Sequence, residues 1–137
     1  MHATVWFDGA CRFNPGPMGA GAVVALEDGR RKVLSRSMGL GTNNQAEYHG
    51  LILGLRHALA LGATAATVHG DSQLVIKQLQ GLYQVRHPQL KPLHGEALGL
   101  LAKLRPVKLE WVPREQNAEA DAASWEAANR PPDRAAP

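Results

Sequence analysis

The chain has 137 residues, the size of one domain with a single core and too short for two ordinary ones. Hydrophobic residues make up 45% and charged residues 20%, with a formal charge of +3, a balance that excludes disordered and fibrous classes and permits a polyanionic partner without requiring one. A single cysteine, Cys11, excludes an internal disulfide and a four-cysteine zinc site, and the longest apolar zone, 51–68, is broken by Arg56 and His57, so the composition points to the reducing cytoplasm and to no membrane partner.

The N-terminal residues lack the charged-then-apolar pattern of a secretion signal. Ala3 to Phe7 alternates and reads as a strand closed by the turn pair Asp8-Gly9. The glycines and prolines between Arg12 and Gly19 read as a loop. Two β-prone runs, 21–26 and 32–38, flank Asp28-Gly29, a strong hairpin signal, so the chain opens as a three-strand meander. From Asn44 to Leu61 the period becomes helical, with Leu51, Leu55 and Leu59 on one side and Gly62 as the stop. Gly50 and Gly54 lie one turn apart on that apolar side, which lets the helix approach a sheet closely.

A short strand at 65–69 and a helix at 72–80 follow, then a connection over 81–88. An amphipathic helix spans 93–104 before Pro106, a strand 107–112, and an alanine-rich helix 117–128 with Asn117 at its start. The order is strand-strand-strand-helix-strand-helix-helix-strand-helix. It predicts an α/β fold with a five-stranded mixed sheet and helices on both faces, in one domain over 1–129 with a disordered tail over 130–137.

Four acids fall at the ends of these elements: Asp8, Glu47, Asp71 and Asp121. Each has an ordinary structural explanation. Asp8 belongs to a turn pair, Asn44-x-x-Glu47 fits a capping box, Asp71 precedes Ser72 where a helix cap is needed, and Asp121 complements a helix N-terminus. Taken together, however, they lie where βα crossovers bring strand ends and helix starts to one sheet edge. Carboxylates gathered there repel one another unless cations intervene, and an all-oxygen donor set suits Mg²⁺ or Mn²⁺. Two such ions about 4 Å apart are the arrangement that serves phosphoryl transfer.

The words around these acids carry a resemblance. Asp8-Gly9-Ala10 with Asn14-Pro15-Gly16-Pro17-x-Gly19-x-Gly21, then Thr42-Asn43-Asn44-Gln45-Ala46-Glu47-Tyr48, then Asp71-Ser72-Gln73-Leu74-Val75, then Val112-Pro113-Arg114-x-x-Asn117-x-x-Ala120-Asp121 resembles type 1 ribonuclease H over residues 3–128. The resemblance implies a ribonuclease H-like fold and an endonuclease that cuts the RNA strand of an RNA/DNA hybrid to 5′-phosphate and 3′-hydroxyl ends, acting as a monomer with two Mg²⁺ or Mn²⁺ ions. It further implies that Asp8 bridges both ions, that Glu47 and Asp71 complete the site on the leaving-oxygen side, and that Asp121 joins Asp8 around the ion that activates water. Asn14, Asn43 and Asn44, with Thr42 beside them, would read RNA 2′-hydroxyls, a task suited to amides that donate and accept.

The chain departs from many relatives in two places. The loop 111–116 holds no histidine, and Arg114, which would meet the substrate there, is permanently charged and cannot shuttle protons. Only residues 81–88 cross the gap where some relatives insert a basic helix that grips DNA, so hybrid affinity should be lower and salt-sensitive, with double-stranded RNA a further candidate substrate. Tyr83, Arg86 and Lys91 are the remaining candidates for contact with a backbone in that region. The six histidines show no metal-ligand spacing. Three other readings are a catalytically weak or inactive module binding hybrid or double-stranded RNA, another nuclease of the same fold, and a nucleotide-binding protein. The last rests on Gly19-x-Gly21 and Gly39-x-Gly41, neither of which completes a phosphate loop.

Overall fold

The computed structural model describes residues 1–131. Strands β1 (His2–Cys11), β2 (Gly16–Leu26) and β3 (Arg31–Gly41) form the antiparallel meander. Helix α1 (Asn43–Ala60) leads to β4 (Ala65–Gly70), α2 (Gln73–Leu79), α3 (Lys91–Leu101), β5 (Val107–Trp111) and α4 (Ala118–Ala128), the last entered through a 3₁₀ turn at Arg114–Asn117. The sheet runs β3-β2-β1-β4-β5, with β4 parallel to both β1 and β5. The five-stranded mixed sheet of the sequence reading is therefore present. The expected tail lies largely in 132–137, outside the described residues, while the Arg130 guanidinium is anchored by bonds to the Ser35 carbonyl and to Glu126.

Alternation along the central strands sends two residue sets to opposite faces. Val5, Phe7 and Val24 join Tyr48, Leu51, Leu55, Ile76 and Leu101 in the main core beneath α1, α2 and α3. Asp8, Gly19, Gly21 and Val23 face the other way, toward α4. The helices thus cover both faces, and no helix among the described residues is long and apolar enough to cross a membrane.

Two expectations need correction. Gly16 to Gly19 is strand rather than loop, because β2 starts at Gly16 and pairs through Met18 with Cys11. The glycines that read as loop formers are there for proximity: a Cβ at Gly19 would lie 2.0 Å from the Ser124 carbonyl oxygen, and one at Gly21 2.3 Å from that of Ala120. Likewise Asp8-Gly9 is not a turn. Strand β1 continues to Cys11, with Asp8 opposite Gly21 and Gly9 opposite Ala20. On the α1 face, a Cβ at Gly9 would lie 2.0 Å from the Ala46 carbonyl carbon, and one at Gly50 2.1 Å from the Asp8 oxygen, so α1 rests backbone to backbone on β1 at the point where Asp8 sits. Between α2 and α3, residues 80–90 contain turns and no helix, as the short connection requires.

Candidate active site

The local structure withdraws the ordinary explanations from three of the four acids. Asp8 lies inside a strand and closes no turn. Helix α1 is capped by Thr42, not Asn44: the Thr42 hydroxyl accepts from the Gln45 N–H at 3.2 Å, and the Gln45 side chain accepts from the Thr42 N–H at 2.9 Å. The box sits two residues earlier than the sequence reading placed it, which leaves the Glu47 carboxylate without a capping role. Ser72, not Asp71, caps α2, its hydroxyl accepting from the Val75 N–H at 3.2 Å. Asp121 alone keeps its place in the first turn of a helix, where a negative charge is favoured.

Relieved of these duties, Asp8, Glu47 and Asp71 converge, each offering a carboxylate oxygen within 4.8 Å of the others. Asp8 and Glu47 are buried and Asp71 is half-buried. Desolvation pushes the Asp8 carboxyl up to about 7, opposed by side-chain bonds with Glu47 and Ser124 and reinforced by Asp121 and by the Asp71 charge. Burial, reinforced by the Asp8 charge, holds Glu47 well above the usual carboxylate range, against a bond from the Gly9 N–H that favours its ionised form. Asp71 is raised mainly by burial, an effect opposed by the Asn117 amide and the Arg114 guanidinium. Asp121 stands outside the three-carboxylate group but faces it closely enough to raise both Asp8 and Asp71.

Such a cluster is unfavourable as bare charge and favourable around a hard cation. The Glu47 Oε2 atom is buried with no hydrogen-bond partner, the condition of a ligand atom whose partner is an ion. Three converging carboxylates, an orphaned acceptor and proton affinities raised by burial and by neighbouring charge fit a hard divalent cation, which takes oxygen donors.

Two residues that the sequence reading did not assign to the site brace it. The buried Asn117 amide donates to the Phe7 carbonyl at 2.8 Å and to Asp71 Oδ2 at 3.4 Å, tying β1 to the end of β4. It makes no side-chain cap bond to α4, the role its position suggested. The Ser124 hydroxyl lies 3.0 Å from Asp8 Oδ2. Asn117 stands four residues and Ser124 three from Asp121, a spacing that places them on the helix side of that acid, and this was the signal available in the sequence.

The polar residues expected to meet substrate also gather. Asn14, Thr42, Asn43 and Asn44 line a cleft of about 410 Å³ together with His87, Gln89 and Leu90. Asn14 Oδ1 accepts from the Asn43 N–H at 3.2 Å, so the β1–β2 loop and the start of α1 hold each other. Arg114 opens the 3₁₀ turn, exposed, on the Asp71 side of the acids. Trp111, at the end of β5, is 46% exposed, its indole N–H donating to the Asp71 carbonyl at 3.0 Å.

Residues 6–127 match the reverse transcriptase-like family. The bifunctional protein Rv2228c of Mycobacterium tuberculosis is 47% identical over 124 residues, 88% of this chain and 34% of that protein. The ribonuclease HI of Halobacterium salinarum is 41% identical over 128 residues, 93% of this chain and 63% of that enzyme, so the chain spans only part of the length of these two relatives. The ribonuclease H of Desulforamulus reducens is 32% identical, with 93% of this chain and 88% of that one aligned. Among solved structures, the N-terminal RNase H domain of Rv2228c superposes with a TM-score of 0.89 at 42% identity, covering 93% of this chain and 94% of that one. LC11-RNase H1 in complex with an RNA/DNA hybrid does so with a TM-score of 0.84 at 34% identity, covering 93% and 96%. With its sheet order, its converging carboxylates and a match spanning most of its length, the chain belongs to the reverse transcriptase-like family of ribonuclease H domains.

Proposed function

We propose that the chain is a metal-dependent endoribonuclease that hydrolyses the RNA strand of RNA/DNA hybrids, leaving 5′-phosphate and 3′-hydroxyl ends. The observation that carries this reading is the meeting of Asp8, Glu47 and Asp71 within 4.8 Å on a chain that also presents an amide-lined cleft. The hybrid-bound neighbour LC11-RNase H1 supports the choice of substrate.

Asp8, Glu47 and Asp71 would hold one Mg²⁺ or Mn²⁺, and Asp8 with Asp121 a second. Bound there, the ions supply charge stabilisation for the transferring phosphate and a water of lowered pKa. Asn14, Asn43 and Asn44 present donors and acceptors to 2′-hydroxyls, which separates RNA from DNA, and Thr42 fixes the backbone from which two of them project. Arg114 meets a phosphate beside Asp71. Water oxygen adds to phosphorus and gives up a proton to solvent, the bond from phosphorus to the 3′ oxygen breaks, and that oxygen takes a proton from solvent; the 111–116 loop holds no histidine to carry either proton.

Residues 80–90 form turns instead of a DNA-gripping helix, which favours weak, salt-sensitive hybrid binding and admits double-stranded RNA as a second substrate. The buried free thiol of Cys11 suits a monomer working in the reducing cytoplasm.

End-labelled RNA/DNA hybrid, double-stranded RNA and double-stranded DNA, each incubated with Mg²⁺ or Mn²⁺ and with the wild type or Asp8→Asn, test the proposal. The expected result is cleavage of the hybrid's RNA strand that falls about a thousandfold in the variant. Folded wild type that leaves the hybrid intact with both ions would overturn it and favour a hybrid-binding module.

A further inference from the structure

The geometry points to Ser124 as a positioning residue, whose buried hydroxyl holds the Asp8 carboxylate in the orientation in which it takes a divalent cation. The inference rests on the metal-dependent reading above and extends it to a residue outside the four acids.

Ser124 is fully buried on α4, where the other buried residues are Ala120, Ala123, Ala127 and Ala128. A hydroxyl in such surroundings is costly unless it is bonded. Its Oγ lies 3.0 Å from Asp8 Oδ2 and 2.8 Å from the Asp121 carbonyl oxygen. The hydroxyl has one proton to give, and an ionised carboxylate is the stronger acceptor. Donation to Asp8 therefore occupies one lone pair of Oδ2, fixes the rotation of the carboxylate, and ties it to the helix that carries Asp121.

The chain makes room for this contact. A Cβ at Gly21 would lie 2.6 Å from the Ser124 nitrogen, and one at Gly19 2.0 Å from its carbonyl oxygen, so α4 reaches β1 only because β2 offers a seam without side chains. Gly19-x-Gly21, which resembles a fragment of a phosphate loop, is that seam. Packing alone does not call for a hydroxyl here, because alanine fills the equivalent positions along the same helix face.

The test uses Ser124→Ala in the full chain, with Ser35→Ala as the control. Ser35 Oγ bonds the Ala123 carbonyl at 2.7 Å and the Glu126 carboxylate at 2.5 Å, and so anchors α4 from β3 with no bond to Asp8, Glu47, Asp71 or Asp121. Free Mn²⁺ is followed by electron paramagnetic resonance during titration, alongside hybrid cleavage as a function of Mn²⁺. Ser124→Ala should bind Mn²⁺ about tenfold more weakly, with the Mn²⁺ needed for half-maximal cleavage raised to match and KM for the hybrid unchanged. Ser35→Ala should bind Mn²⁺ as the wild type does. Wild-type affinity in Ser124→Ala, or an equal loss in both variants, would overturn the positioning role. A wild type that binds no Mn²⁺ would instead overturn the metal reading on which the inference stands.

Discussion

Glu47 serves the site because the first turn of α1 is closed by other residues. Thr42 and Gln45 satisfy each other's backbone N–H groups, while Asn43 and Asn44 carry no capping bond and point their chemistry to the cleft. Under the proposed function, stability and substrate reading are thereby separated within three consecutive residues. Thr42→Ala should cost about 1 kcal/mol of stability, measured by urea unfolding, because it removes the cap acceptor. Asn44→Ala should leave the unfolding midpoint within error and raise KM for the hybrid; the reverse pattern would restore Asn44 as the cap. From sequence, Asn44-x-x-Glu47 and Thr42-x-x-Gln45 are both acceptable capping boxes, and local chemistry does not choose between them. The choice is made by tertiary contact, since α1 must place Glu47 against Asp8. Asn117 is legible only in part for a related reason: its spacing places it beside Asp121, but its partners, Phe7 and Asp71, lie 110 and 46 residues away, and no local pattern announces them.

Among the elements, the helices were the most legible, because an apolar stripe every three to four residues survives any tertiary context. Strand β2 was the least, since its glycines belong to the packing of α4 and read locally as loop. A glycine's meaning is set by what lies above it, and this separates two substitutions of the same kind. At Gly50 a Cβ would lie 2.1 Å from the Asp8 carbonyl oxygen, whereas at Gly95, on the exposed face of α3, it would meet nothing within 4 Å. Gly50→Ala should therefore destabilise the protein by about 3 kcal/mol, because two backbones have to separate. Gly95→Ala should stabilise it by about 1 kcal/mol through helix propensity alone. Denaturant midpoints of the two variants check this, and a neutral Gly50→Ala would show that α1 does not rest on β1 as described. The same variant should lose cleavage activity beyond its loss of stability, since α1 carries Glu47 to the cluster.

For the molecule as a whole, the acid cluster makes stability depend on pH and on divalent ions together. In the metal-free protein the Asp8 carboxyl is raised from 3.8 to about 7, and Glu47 and Asp71 are raised as well, so the folded state binds protons more tightly than the unfolded chain. The sign follows from linkage: this contribution is fully present below the unfolded value near 4 and is lost as pH rises through the folded value near 7. In the presence of a chelator, Tm should fall across that window. Asp8→Asn removes the most central charge and should be several degrees more stable than wild type at about pH 8, because the ionised Asp8 is otherwise held desolvated beside Asp71 and Asp121. Below about pH 4 the two proteins should converge, since Asp8 is then protonated in both the folded and unfolded wild type. Added Mg²⁺ should reverse the order at the higher pH, raising the wild type while leaving Asp8→Asn nearly unmoved, since an ion that binds only the folded state stabilises it by mass action. Thermal melts of both proteins across this range, with chelator and with Mg²⁺, give the four curves required. A wild-type Tm indifferent to pH in chelator, or raised equally by Mg²⁺ in both proteins, would mean that the acids neither repel one another nor share an ion.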